Sequence, residues 1–412
     1  QSPDSAAMNT PASPRRQAAV AFVLIAVVID VLAMGIIIPV LPHLVLEFEG
    51  DKASAASIYG YFGVVFAAAQ FFFSPVLGAL SDRFGRRPVL LISMFGHGLD
   101  FILMALAPTM WWLFVGRTIS GITAASFSTA NAYIADITPP KERAQRYGLV
   151  GAAFGFGFVF GPALGGIAGE FDPRMPFWIA AALCLLNAAY GWFVLPESLP
   201  PERRSAFSAA KANPLGSLGF LRAHGEVAWL AAVSIIWNTA FWVIPTTSVL
   251  YTAFRFGWTE RDVGLMLAAI GIGNIVVQSG LVRPTVRFLG EALALRTGLG
   301  FSIAAMLVYA FAWEGWMFLL GIVFQSAAGI MGPALQALMS RRVSGTDQGK
   351  LQGALSSAIG IAGMFGPIIF SQVFAWALGP GAVYGVPGAA FLVSALFYLA
   401  ALGVAWAATR ER

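Results

Sequence analysis

The sequence predicts an all-α polytopic membrane protein, and three observations carry that prediction. Of the 412 residues 58% are hydrophobic and only 11% charged, with a mean hydropathy of +0.76, against about 25% charged in soluble domains. Apolar runs of spanning length recur about twelve times along the chain. Lys and Arg gather in alternate loops, at Arg15/Arg16, Arg83/Arg86/Arg87, Lys141/Arg143/Arg146, Arg203/Arg204/Lys211/Arg222, Arg283/Arg287/Arg296, Arg341/Arg342/Lys350 and Arg410/Arg412. The loops between them hold only Lys52, Arg174, Arg255 and Arg261. This positive-inside pattern predicts that both termini lie in the cytoplasm. The net charge of +5 therefore follows membrane topology and does not point to nucleic acid. A single Cys184 excludes an internal disulfide, and three scattered His give no zinc spacing, so no metal is expected.

Residues 1–17, polar and rich in Pro and Ser, read as a cytoplasmic tail without a cleavable signal peptide. The apolar runs lie near 18–42, 57–80, 88–107, 110–135, 146–169, 176–195, 226–253, 262–284, 292–312, 315–340, 351–377 and 385–408. Each is read as a helix, because only a helix satisfies its own backbone groups in a lipid interior. The long connection 196–225 is charged and Pro-rich. It divides the chain into an N-terminal six-helix bundle (18–195), a cytoplasmic linker (196–225), a C-terminal six-helix bundle (226–408) and a tail (409–412). The halves repeat each other. Gly148, Gly155, Gly161 and Pro162 recur as Gly353, Gly360, Gly366 and Pro367, at a constant offset. A repeat of this kind implies a two-fold axis along the membrane normal, with substrate and ion sites near the midplane between the halves.

Asp30 lies twelve residues into the first run, and Asp100 twelve residues past the helix-starting Pro88. At about 1.5 Å per residue, each is roughly 18 Å into a core about 30 Å thick. An ionised carboxylate there costs several kcal/mol, so each is protonated, paired or facing a wet cavity. Two such groups point to ion-coupled transport. Helices 7 to 12 contain no evident acid at that depth. Arg117, in the fourth run, needs a carboxylate, carbonyls or water, because its guanidinium keeps its proton.

The loop after the second run reads Gly78-Ala-Leu-Ser-Asp82-Arg83-Phe-Gly85-Arg86-Arg87-Pro88. Gly85 permits the reversal, Pro88 suits a first helical turn, and Asp82 can cap a helix or meet Arg86 and Arg87. By itself this is equally well positive-inside charge on a turn. Gly157, Gly161 and Gly165 form a small-residue ridge, bent by Pro162, which suits close helix packing. These segments resemble the signatures of the major facilitator superfamily. The loop is close to the family's loop 2–3 motif. Gly35-Ile-Ile-Ile-Pro39-Val-Leu-Pro42 is similar to the first-helix motif of drug–proton antiporters, Arg117-Thr-Ile-Ser-Gly121-Ile-Thr-Ala124 to the fourth-helix Arg motif, and Gly157-Phe-Val-Phe-Gly161-Pro162-Ala-Leu-Gly165-Gly166 to the fifth-helix antiporter motif. Within the family the chain resembles tetracycline–proton antiporters, through Gly98-Leu-Asp100, Gly116-Arg117-Thr-Ile-Ser-Gly-Ile-Thr and Ile134-Ala-Asp136.

The resemblance covers the whole chain. It implies the twelve-helix major facilitator fold, no enzymatic activity, no cofactor beyond the proton gradient, and a place in a bacterial inner membrane as a monomer among lipids. It implies that Arg117 modulates a nearby proton-carrying acid, with Asp30 the candidate, and that Asp82, Arg86, Asp136 and Arg143 form a charge network holding a cytoplasmic gate; otherwise they are solvated surface charges. It further implies that helices 5 and 11 act as hinge and seal. Tetracycline exporters also carry a His in helix 8 and an Asp in helix 9, and Asn274 and Ala304 stand at those places here. Proton coupling is therefore expected to rest on Asp30 and Asp100. Phe66, Gln70, Phe73, Trp237, Asn238, Trp242, Asn274, Gln278 and Gln325 are candidates to line a site for an aromatic or amphiphilic small molecule, with lipid-facing packing and interhelical hydrogen bonding as the alternatives. The expectation is proton-coupled efflux. The alternatives are metabolite or lipid export or proton symport on the same fold, and a non-transporting receptor.

Overall fold

The computed structural model describes residues 14–124, 126–138, 143–207, 213, 225–343 and 348–409, and all regular structure among them is helical. Helix α1 (Pro14–Ile36) ends where Pro39 lacks the N–H that would continue the ladder, and Ile38 donates instead to the Gly35 carbonyl at 3.1 Å. A short α2 (Leu41–Glu49) follows, closed by Gly50 at φ +71°. The Asp51 carboxylate then caps α3 (Lys52–Phe84) by accepting from Ser54 N at 2.8 Å, a bond that holds its carboxyl below the usual range. This cap starts the helix five residues before the apolar run at 57. The half is completed by α4 (Arg86–Ala105), α5 (Met110–Ala124), α6 (Ser126–Ile137), α7 (Arg143–Phe171) and α8 (Met175–Val194).

The second half holds α9 (Gly225–Phe241), α10 (Val243–Phe256), α11 (Glu260–Val276), α12 (Val282–Phe311), α13 (Gly315–Ala327), α14 (Met331–Arg341), α15 (Gln348–Leu378) and α16 (Ala389–Ala408). Two of its apolar runs, each expected as one helix, are broken by proline. Pro245 cannot bond the Phe241 carbonyl, and the chain turns at Trp242. Pro333 cannot bond that of Gly329, and Ala328–Ile330 tightens to a 3₁₀ turn. A π-turn at Val277–Leu281 joins α11 to α12, which kinks again at Gly290 (φ 74°, ψ 167°). Nine described segments are long and apolar enough to cross a bilayer, and Glu260–Phe311, at 52 residues, has length for two crossings. With α5–α6 and α7, every apolar run of the sequence has its helix. Exposed Trp111, Trp178, Trp313 and Trp316 ring one end, and Trp192, Trp229 and Trp406 the other, as interfacial belts do.

Helix packing repeats between the halves. In the first, α1 packs on α7 and α8, α4 on α5 and α8, and α3 on α5; in the second, α9 packs on α15 and α16, α12 on α13 and α16, and α11 on α13. Two seams join the halves, α7 against α11 and α3 against α15. Glycines permit both. A Cβ on Gly161 would stand 2.7 Å from the Leu32 carbonyl oxygen of α1, and one on Gly165 would overlap that of Ile36. On the seam itself, a Cβ on Gly264 would strike the Pro162 carbonyl, and one on Gly60 would lie 3.0 Å from the Pro367 carbonyl. Helices 5 and 11 of the sequence, here α7 and α15, thus sit at opposite seams. The second half has one continuous apolar core. The first has two, which meet at the level of Asp30 and Asp100.

Backbone has no room to yield at Gly165, so Gly165→Ala is expected to cost about 1–3 kcal/mol, read as a lowered thermal unfolding midpoint in detergent. Gly403→Ala, in open space, should leave the midpoint unchanged or slightly raised. Equal midpoints for the two variants would refute the close α1–α7 contact.

Candidate functional site

Asp100 is completely buried on α4. Its Oδ2 accepts from Ser120 Oγ of α5, and its Oδ1 has no hydrogen-bond partner. His97, one turn earlier, places Nε2 3.3 Å from the Ser120 carbonyl oxygen. Asp30, on α1, is partly buried with Oδ1 enclosed and unpartnered. Both acids lie within electrostatic reach of the buried Cys184 thiol of α8.

For Arg117 the resemblance names Asp30 as the candidate partner, and in the structure Asp100 is the acid within its electrostatic reach. Its electrostatic neighbours are Tyr59, His97 and Asp100. Its guanidinium lies over the Phe66 ring, 4.4 Å from the centroid, and its Nε is buried without a partner. Depth along a helix, which sequence supplies, does not give the direction a side chain faces. Phe66 is itself buried and serves the cation, while Gln70, a turn along α3, is half-buried.

The loop motif folds into a charge network at the arginine-rich end. Gly85 takes φ +106°, the conformation that needs a residue without Cβ. Asp82, in the last turn of α3, meets Arg86 at 2.6 Å, and Arg86 Nε meets Asp136 Oδ2 at 3.2 Å. These groups lie on helix ends, not in loops. The N-terminus of α4 is capped not by Asp82 but by Glu197, from just past α8, which accepts from Arg86 N at 2.8 Å and Arg87 N at 3.3 Å. Ser198 Oγ donates to Asp136 at 3.2 Å, and Ser205 N to the Asp82 carbonyl at 3.0 Å. Arg87 donates to the Trp192 carbonyl at 2.6 Å, Arg83 is exposed beside Phe84, and Gly78 faces open space while its carbonyl accepts from Ser81 Oγ. The side chain of Arg143 lies outside the described residues. Sequence reasoning treated Glu197 as linker. The signal that could have found it is a carboxylate placed directly after a helix end and opposite a loop holding three arginines.

The second half presents only neutral polar groups among its buried described residues. Trp237 is half-buried with Nε1 enclosed and unpartnered. Asn238 bonds its own helix at the Ser234 carbonyl, 2.8 Å. Trp242 fills the space beside Gly363 and Gly366 of α15 as a packing residue, and Gln325 is buried within the half, with Oε1 unpartnered. Asn274 is half-buried near Gly329, and Gln278 and Phe73 are exposed.

Among the described residues, polar contacts between the halves cluster at the arginine-poor end. His43 Nδ1 meets Glu260 at 3.3 Å, Gln372 Nε2 donates to Ser57 Oγ at 2.7 Å, Tyr59 OH donates to the Pro245 carbonyl at 3.2 Å, and Arg261 approaches Glu170 at 3.9 Å. Lys52 lies over the Phe254 ring at 5.3 Å. At the opposite end, a Cβ added to Gly78 or Gly280 would meet nothing within 4 Å among the described residues. The halves are closed on each other at the arginine-poor end.

Comparison with known proteins bears on this arrangement. Residues 23–313 match the family model described as Major Facilitator Superfamily. The tetracycline resistance protein, class C, of Escherichia coli is 38% identical over 376 residues, covering 91% of this chain and 93% of that protein. The class G protein of Vibrio anguillarum is 35% identical over 390 residues, 92% of this chain and 95% of that protein. Among solved structures, the human organic anion transporter MFSD10 (TETRAN) superimposes with a TM-score of 0.71 at 24% identity, over 95% of this chain and all of that one, which shows the shared fold.

The network predicts a measurable bias. Removing a charged hydrogen-bond partner from a half-buried site costs about 1.5–3 kcal/mol, and every 1.4 kcal/mol is about tenfold in an equilibrium. Asp82→Asn and Glu197→Gln should each shift the distance distribution between arginine-rich helix ends while leaving the protein folded, as read by double electron–electron resonance. Unchanged distributions in both would reduce the network to a topological turn.

Proposed function

This chain belongs to the major facilitator superfamily, and from that premise we propose that it exports a small amphiphilic or aromatic compound, of the tetracycline kind, in exchange for protons across a bacterial inner membrane. The family is one of transporters, not enzymes, and the proton gradient takes the place of a cofactor. The observation that carries the reading is Asp100, wholly buried with one oxygen unpartnered and within electrostatic reach of a permanently charged arginine. A carboxylate so placed is poised between a neutral and an ionised form, and each form suits a different global state.

In the proposed cycle, the outward-facing carrier takes a proton on Asp100 or Asp30. Loss of charge favours reorientation. Release of the proton inward accompanies capture of substrate, and the two compete through the conformational equilibrium. On the reading that both termini are cytoplasmic, the closed arginine-poor end faces outward. Trp237, Asn274, Gln278, Gln70 and Phe73, half-buried or exposed, are the proposed substrate contacts. A second reading keeps the fold but changes the cargo to a metabolite or lipid, or the coupling to symport. It draws support from Asn274 and Ala304, which leave the interior of the second half without an acid.

Proteoliposome flux separates the readings. Tetracycline-class compounds should move uphill only when a pH gradient is present, and their addition should release protons. Asp30→Asn and Asp100→Asn, each a mimic of the protonated side chain, should cut gradient-driven export by at least about tenfold, the equivalent of about 1.4 kcal/mol, while downhill exchange persists. If both variants keep wild-type driven transport, neither acid carries the coupling proton. If a pH gradient drives a different cargo inward, the symport reading replaces efflux.

A further inference from the structure

We infer that Tyr59 is the positioning residue that links the charge state of Asp100 to closure of the arginine-poor end. Its direction of action rests on the proton-exchange cycle above; its geometry does not. Tyr59 stands near the outer end of α3 and donates its phenol hydrogen to the Pro245 carbonyl of α10, in the other half, at 3.2 Å. The same ring packs against both the core of the second half and the outer core of the first. Two turns further along α3, Phe66 supports the guanidinium of Arg117 at 4.4 Å. Arg117 lies within electrostatic reach of both Tyr59 and Asp100. It forms no ion pair among the described residues, and its Nε and the Oδ1 of Asp100 are both enclosed and unpartnered.

An arginine has five donors and cannot accept, whereas a phenol oxygen accepts while its hydrogen donates. Arg117 therefore has two groups within electrostatic reach that could accept from it, the Tyr59 oxygen and the Asp100 carboxylate. When Asp100 is neutral, the guanidinium acts on the Tyr59 oxygen and polarises its O–H toward Pro245, strengthening the bond between the halves. When Asp100 is ionised, the guanidinium is drawn to the carboxylate and that support is withdrawn. The other groups facing Asp100 are His97 on its own helix, Ser120 on α5, Cys184 on α8 and, beyond Cys184, Asp30 on α1. Asp136 of α6 is engaged with Arg86 at the far end of α4. Arg117 is the permanent charge among these neighbours, and Asp30 is not among its electrostatic partners. The sign suits proton exchange: a protonated carrier stays shut outside, and one that has released its proton inward is free to open outside.

The test is the distance between spin labels at exposed Asp172 and Glu314, in a Cys184→Ala background, in nanodiscs without substrate across pH. The wild type should be closed at low pH and open as pH rises. Tyr59→Phe, which removes only the hydroxyl, should favour the open population at low pH and shrink the pH-dependent change in the open-to-closed ratio by at least about fivefold. Asp100→Asn should hold the end closed at all pH values, and adding Tyr59→Phe should reopen it. A wild-type pH response in Tyr59→Phe, or no pH response in the wild type, overturns the role. Substrate-driven proton release by wild-type proteoliposomes reports on the exchange reading separately, because it is present or absent whatever Tyr59 does.

Discussion

The close approach of α7 to α1 on one face and to α11 on the other is the constraint on which the rest of the structure depends. Lipid supplies no hydrophobic force between helices, so contact must come from van der Waals packing at short range. Gly157, Gly161 and Gly165 provide it toward α1, and Gly166 provides it toward Gly264. The mirror helix α15 solves the same problem differently. Gly366 faces the Trp242 side chain where Gly161 faces backbone, so an indole fills the equivalent gap in the second half. One half is thus pinned backbone to backbone, and the other through a side chain that can change rotamer.

The two halves also differ in what their interiors hold. The apolar core of the first is parted where Asp30, His97, Asp100 and Arg117 lie, whereas that of the second is continuous and carries only neutral polar groups among its buried described residues. A shared architecture has been kept while the interior acids, histidine and arginine of the described residues sit in one copy. Glu197 connects that half to the start of the chain segment joining the two, since its carboxylate closes the N-terminus of α4 beside Arg86. The arginine-rich network and the departure of the chain toward the second half are one structural unit.

Much of this was legible in the residues. Hydropathy marked the apolar runs, and the constant offset between Gly161-Pro162 and Gly366-Pro367 announced seams that are mirrored in space. Gly85 read correctly as a reversal. What escaped were features set by direction rather than position. Arg117 has Asp100 and not Asp30 among its electrostatic neighbours, because a linear count gives depth but not azimuth. The break at Trp242 depends on Pro245 within an otherwise unbroken apolar run, where helix-sized hydropathy hides it. The role of Glu197 required knowing that α8 ends beside the start of α4, a tertiary fact with no local signature.

Placing the interior carboxylates and arginine of the described residues in one half has an electrical consequence. Arg117 contributes one positive charge, and the two acids contribute between none and two negative ones. On the proposed cycle the site therefore alternates between net positive when protonated and neutral or negative when not. A full charge crossing the membrane field is worth about 2.3 kcal/mol per 100 mV. With the cell interior negative, voltage draws the positive, proton-loaded site inward and drives a negative, proton-free site outward. The resting potential pushes the proton-loaded half-cycle in the direction of efflux for an uncharged cargo, and the proton-free half-cycle as well when both acids are ionised, in addition to the pH difference.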